Sequence, residues 1–162
     1  MKNRNCKIKL KFTGRIEQGL KDQLINNINK KNVSDCIEFT GYLEENELYT
    51  YMMNAVCLLA PLPDNEQSKA RFPTKIGYYL SSGRPVVTNA VGSVNEYLTD
   101  SVNAYIAERF EVMSIAKKIA EIIDDPIGAD KVGQAGQQLA FEKFYYHNAC
   151  KGLSDFLITL GR

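Results

Sequence analysis

Pro73-Thr74-Lys75-Ile76-Gly77-Tyr78-Tyr79-Leu80-Ser81-Ser82-Gly83 runs directly into Arg84-Pro85-Val86-Val87-Thr88, and this junction decides the fold class. Proline suits the first turn of a helix, where its missing N–H has no partner to lose, and glycine suits the position just beyond the end. The spacing therefore predicts a helix over residues 73–82, and the apolar Val86-Val87 pair predicts a buried strand after it. Upstream, Ala55-Val56-Cys57-Leu58-Leu59-Ala60 is an uninterrupted apolar run, as expected of a strand covered on both faces. The same alternation extends in both directions. Lys7-Ile8-Lys9-Leu10-Lys11-Phe12-Thr13 has period two and closes at Gly14, which reads as a strand. Leu20, Leu24, Ile25 and Ile28 share a helical face, and Cys36-Ile37-Glu38-Phe39-Thr40 is a second short strand closed by Gly41. Glu44, Glu45 and Glu47 favour a helix start ahead of the Leu48, Tyr51 and Met52 stripe. Downstream come a short helix at 94–98, a strand at 104–107 and a 3.6-residue stripe from Val112 to Ile123 that Asp124-Asp125-Pro126 breaks. Two further helices are expected at about 130–144 and 147–160. Strands alternating with helices specify a doubly wound parallel α/β sheet. The expected division is a domain over residues 1–144 with a helical extension over 145–162.

Composition narrows what such a domain does. The chain has 162 residues and a formal net charge of +1, so no global field draws it to nucleic acid or an anionic membrane. No apolar run approaches the roughly 20 residues that span a bilayer, and the tyrosines form no amphipathic basic anchor. Cys6, Cys36, Cys57 and Cys150 are scattered, with no Cys-x-x-Cys pair. Reduced thiols are the simplest reading, and neither a zinc site nor any other metal is expected. His147 is the sole histidine and lies far in sequence from the strand ends, so no Ser-His-Asp or Cys-His arrangement can be built from it.

In an open α/β sheet, ligands gather beyond the carboxyl ends of the strands, where helix N-termini present free N–H groups. Three segments should occupy that edge: residues 14–18, the long polar loop 61–72 leading to Pro73, and residues 89–93. The middle one joins Lys69, Arg71 and Lys75 to a helix start, a combination that suits a phosphate or diphosphate. Three solvated cations are the competing reading. The Gly-x-Gly-x-x-Gly and Gly-Lys-Ser/Thr fingerprints are absent.

The stretch from Pro73 to Val87 resembles a signature of the group 1 retaining glycosyltransferases of the GT-B fold, which reads Pro-x-Lys-x-x-Glu-Tyr-Leu/Met-Ala-x-Gly-x-Pro-Val-Val. Phe12-Thr13-Gly14, Ile37-Glu38-Phe39-Thr40-Gly41-Tyr42-Leu43 and Asn89-Ala90-Val91-Gly92-Ser93-Val94-Asn95-Glu96 follow the family pattern in order and spacing. Asp124-Asp125-Pro126 and Glu142-Lys143-Phe144 are similar to its C-terminal helices. The resemblance implies a Rossmann-like donor-binding domain, the C-terminal half of a two-domain sugar transferase. It places the diphosphate of a UDP- or GDP-sugar at Arg71, Thr74 and Lys75, and the ribose by Tyr78. The base falls near Gly41, Tyr42 and Leu43, and the sugar near Asn89, Val91, Gly92 and Glu96. No catalytic residue, cofactor or metal is implied on this half. An N-terminal acceptor-binding half would be the partner, and the expected location is cytoplasmic, at or near the inner membrane face. Homo-oligomerisation is left open.

Three departures qualify what the resemblance implies. Tyr78 stands where the signature has a glutamate, and a phenol cannot accept from two ribose hydroxyls as a carboxylate does. Ala70 stands where a partner glutamate commonly lies, with Glu66 out of register. The family's opening strand and helix are not matched, and in the order 3-2-1-4-5-6 that strand is central. The expectation is that residues 7–13 pair directly beside 56–60, or that another chain or segment fills the place. Two functional classes stay open: a donor-binding half expected to be inactive as this chain alone, and a non-catalytic binding or assembly module. A receiver-type domain would need an acidic cluster at its strand ends for Mg²⁺, and no such cluster is visible.

Overall fold

The computed structural model describes residues 8–160, apart from the side chain of Ala149. Lys7 and Cys6 lie outside the described residues. The chain divides into two compact units, one ending at Thr50 and the other beginning at Tyr51.

The first unit is a parallel pair with its crossover. β1 (Leu10–Thr13) lies beside β2 (Ile37–Gly41), joined by α1 (Gln18–Lys30) and a 3₁₀ turn at Ser34–Cys36. Leu10 faces Ile37, Lys11 faces Glu38 and Phe12 faces Phe39. The opposed side chains reinforce the register: Lys11 and Glu38 approach to 3.4 Å, and the two phenylalanine rings stack at 5.2 Å. The predicted apolar face of α1 is only partly realised. Leu24 and Ile28 are half-buried, whereas Leu20 and Ile25 are exposed, because a two-strand sheet is too narrow to cover the whole stripe. α2 (Glu45–Met53) carries the chain into the second unit.

The second unit holds β3 (Leu58–Leu59), β4 (Val86–Asn89) and β5 (Tyr105–Ala107) as a parallel sheet with β4 central. Between β3 and β4 lie α3 (Glu66–Lys69) and α4 (Thr74–Ser81). α5 (Val94–Tyr97) precedes β5. Then come α6 (Val112–Asp124), α7 (Pro126–Leu139), a π-helical turn at Ala140–Phe144 and α8 (Tyr146–Leu160).

Successive residues of a strand point to opposite faces, and here each face has its own core. Val86 and Ile106 pack with Ile76, Leu80 and Val94 on the α4/α5 side. Val87 and Tyr105 pack with Ile122, Ala129 and Val132 on the α6/α7 side. That two-sided burial is the physical content of the doubly wound arrangement, and it explains why β4 opens on two successive apolar residues, Val86 and Val87, rather than on an alternation.

Several expected boundaries move. The 55–60 run enters the ladder only at Leu58–Leu59, where Leu58 donates its N–H to the Pro85 carbonyl at 2.8 Å and Ala60 to Val87 at 2.9 Å. The loop 61–72 is interrupted by α3, capped by Asn65, whose Oδ1 accepts from the Ser68 N–H at 2.9 Å. The break at Asp124-Asp125-Pro126 is also a start. Asp125 caps α7 by accepting from the Gly128 N–H at 2.9 Å, with Pro126 in the first turn, so α7 begins four residues earlier than its predicted start at 130. The expected direct pairing of 7–13 with 56–60 is not formed among the described residues. β1 pairs with β2 and β3 with β4, in two separate ladders.

α7 crosses close to the end of α4 and the start of β5. A Cβ on Gly136 would lie 2.6 Å from the Asn103 carbonyl oxygen and 2.7 Å from Leu80 Cδ2, and backbone cannot yield as a flexible side-chain tip can. Gly136→Ala should therefore cost about 1–3 kcal/mol. Val112→Ala, at a residue 83% exposed, should stay within about 0.5 kcal/mol. Urea unfolding of both variants checks the contrast.

Candidate functional site

The carboxyl edge of the second unit's sheet is assembled around the start of α4. Pro73 precedes the helix with φ −70° and ψ 119° and offers no side-chain cap. The Ile76 N–H turns back to the Pro73 carbonyl at 3.0 Å. The Thr74 and Lys75 amides have no acceptor among the described residues. Such uncapped amides carry the positive end of the helix dipole. Arg71 and Lys75 flank them, exposed and without an ion pair among the described residues. Thr74, also exposed, adds a hydroxyl at the same end.

The third expected cation is spent elsewhere. Lys69 Nζ lies 3.1 Å from Asp64 Oδ1 and 3.6 Å from Glu66 Oε1, and the Asp64 hydrogen bond and charge lead in raising its pKa. The predicted triplet is thus a pair, Arg71 and Lys75.

Two contacts hold the loop that carries this pair. Asn89 ends β4 fully buried. Its Oδ1 accepts from the Leu62 N–H at 2.8 Å, and its Nδ2 donates to the Leu62 carbonyl at 3.0 Å. The expected sugar-contacting amide is therefore engaged with the loop after β3. Gly92 adopts φ +55°, and a Cβ there would lie 2.5 Å from the Ser68 carbonyl oxygen. Glycine lets the turn after β4 seat directly against α3. Val91 is buried beside it, while Glu96 is exposed on α5.

Phe72, between Arg71 and Pro73, is held by rings that the sequence reading missed. It stacks on Phe144 at 4.8 Å and meets the edge of Tyr97 at 5.1 Å, and Tyr97 and Phe144 lie 5.4 Å apart. The three rings come from the loop, α5 and the π-helical turn. No periodicity links positions so far apart in sequence. Tyr78 lies on α4, 39% exposed.

The remaining expected residues belong to the first unit. Gly41 leaves β2 with φ +72°, Tyr42 is 62% exposed with the Arg15 guanidinium 5.5 Å from its ring centroid, and Leu43 is half-buried. Arg15 carried no assigned role in the sequence.

Among the described residues no group of three or more His, Cys, Asp or Glu side chains could hold a metal ion. No helix there is long and apolar enough to cross a membrane. Cys57 is no nucleophile at neutral pH, because burial outweighs the nearby Arg84 charge and pushes its thiol up to about 11.

A chain with this two-faced parallel sheet is a Rossmann-like, doubly wound α/β domain. More specifically, residues 1–139 match the model of the glycosyl transferases group 1 family, and the chain belongs to that family. The fold has solved counterparts. HepE of Anabaena, in complex with UDP, superposes with a TM-score of 0.76 at 19% identity, over 94% of this chain and 41% of that one. Sucrose-phosphate synthase of Thermosynechococcus elongatus gives 0.79 at 18% identity, over 94% and 38%. The C-terminal domain of LpcC, a group 1 family glycosyl transferase of Francisella tularensis, gives 0.67 at 20% identity, over 78% and 63%. The chain thus spans about two fifths of the length of the first two. No curated protein sequence matches it.

Alkylation tests the thiol assignment. With iodoacetamide at pH 8, exposed Cys36 and Cys150 should label within minutes, while Cys57 should stay largely unmodified until pH nears 11. Peptide mass spectrometry reads each site separately.

Proposed function

We propose that this chain is the nucleotide-sugar-binding, C-terminal part of a retaining glycosyltransferase, with the donor diphosphate held at the start of α4. The observation that carries the reading is the pairing of unacceptored Thr74 and Lys75 amides with the unpaired cations Arg71 and Lys75. Fixed N–H dipoles and cations need no reorganisation as charge develops on a leaving diphosphate, so they favour cleavage of the glycosidic bond to it. The Thr74 hydroxyl can donate to the same oxygens. Ribose falls beside Tyr78, whose single hydroxyl makes one contact where a carboxylate would make two. The sugar falls near the turn that Val91, Gly92 and Glu96 occupy, and residues 41–43 of the first unit are assigned to the base on the family resemblance alone. The HepE structure was determined with UDP bound, which supports a uridine nucleotide as the first ligand to try.

Transfer then depends on an acceptor-binding half. The partial coverage of HepE and of sucrose-phosphate synthase supports a two-half enzyme of which this is one, inactive by itself. A cytoplasmic site of action fits a nucleotide-sugar substrate. No metal is required where backbone amides and cations meet the diphosphate. Tyr78 and Ala70 favour a second reading, a domain that keeps the fold as a binding or assembly module.

Calorimetric titration with UDP and GDP separates the two. The donor-domain reading expects saturable binding that Lys75→Ala or Arg71→Ala weakens about tenfold, as loss of a charge-assisted hydrogen bond implies. Affinity should also fall as salt rises. No binding at millimolar nucleotide would leave the module reading standing.

A further inference from the structure

Residues 70–73 join α3 to α4 and carry Arg71, yet neither the Arg71 nor the Phe72 N–H has an acceptor among the described residues. With no such bond to hold the stretch, its place rests on the Phe72 side chain, half-buried against the core of the α4/α5 side. The stacked contact with Phe144 is the shortest of the ring contacts there, at 4.8 Å. Phe144 has a second neighbour. A Cβ on Gly77 would lie 3.4 Å from Phe144 Cδ2 and 3.5 Å from its Cβ, so this side chain rests on bare backbone of α4, one turn beyond Thr74. One residue thus touches both the loop that holds Arg71 and the helix whose amides face the same end.

Phe144 is itself placed by an uncommon turn. Ala140–Phe144 is π-helical, a form that is rare and often found at functional sites. Tyr145 leaves it extended, at φ −72° and ψ 125°, which deprives the last carbonyls of helical donors. Asn148, near the start of α8, supplies a replacement. Its Nδ2 donates to the Phe141 carbonyl and to the Glu142 carbonyl, each at 2.9 Å. Contact therefore runs from Asn148 through the turn to Phe144, and from Phe144 to Phe72 and Gly77, all within the second unit.

We propose that Phe144 is a positioning residue for diphosphate binding, acting through Phe72 on Arg71, and that Asn148 holds the turn that presents it. This rests on the reading of the α4 amide end given above. It adds that the C-terminal turn sets how often Arg71 stands beside that end. Apparent affinity falls with the fraction of molecules whose site is assembled. Loss of the ring contact lowers that fraction without removing any group that touches the ligand.

Calorimetric titration of the full chain with inorganic pyrophosphate, below the melting range of every variant, tests the assignment. Phe144→Leu keeps an apolar side chain but loses the stack, and should weaken binding about fivefold. Phe144→Tyr keeps the ring and should stay within about twofold of the unmodified chain. Asn148→Ala, at an exposed position, should weaken binding about threefold. In an Arg71→Ala background Phe144→Leu should lose most of its effect, because the group it positions is gone. Val132→Ala, in the core on the other face of the sheet, should lower the melting temperature and leave affinity unchanged. Unchanged affinity in Phe144→Leu, or an equal loss in Val132→Ala, overturns the positioning role alone. An undiminished effect of Phe144→Leu in the Arg71→Ala background overturns the route through Arg71. Absence of pyrophosphate and UDP binding by the unmodified chain removes the donor-site reading and this one together.

Discussion

Burial of β4 on both faces is the constraint from which the second unit follows. A strand whose Val86 and Val87 must each leave water needs a layer above and a layer below. That requirement sends α4 and α5 to one side and α6 and α7 to the other. The polar end of the strand is solved internally. Thr88 donates to the Ala60 carbonyl at 2.9 Å, and the Asn89 amide pairs with both peptide groups of Leu62. Unpaired, those buried groups would each cost about 1–3 kcal/mol. Paired, they tie the end of β4 to the loop that leads to the candidate site. Stability and site geometry therefore share the same atoms.

The site inherits its character from what is left unsatisfied. Pro73 starts α4 without supplying a side-chain acceptor, and the amides behind it stay free. Asp64 and Glu66 take Lys69, whereas Arg71 and Lys75 remain unpaired among the described residues. The ring cluster of Phe72, Tyr97 and Phe144 immobilises the residue between Arg71 and the helix. A rigid set of donors loses little entropy when an anion arrives.

Local features of this fold were legible in the sequence. Pro73 and Gly83 bracket α4 as predicted within a residue, because proline and glycine act through their own backbone. The apolar runs marked the buried strands because burial on two faces removes the need for alternation. Asp125-Pro126 stops α6 and equally starts α7, so α7 begins earlier than its apolar stripe alone suggests. Features that depend on distant partners were not legible. The Asn89 amide turns to Leu62, 27 residues earlier, a partner that no local spacing marks. Lys69 was counted as a free cation because its carboxylate partners become neighbours only once α3 winds up.

The central claim is that the amide end of α4 is an anion-binding end. Backbone ¹⁵N–¹H spectra recorded while inorganic pyrophosphate is added test it at the atoms concerned. The account predicts that the Thr74, Lys75 and Ile76 amides shift the most, saturably, and that the shifts shrink as sodium chloride replaces the ligand's electrostatic attraction. Resonances of 73–77 that stay fixed while amides elsewhere move would contradict it.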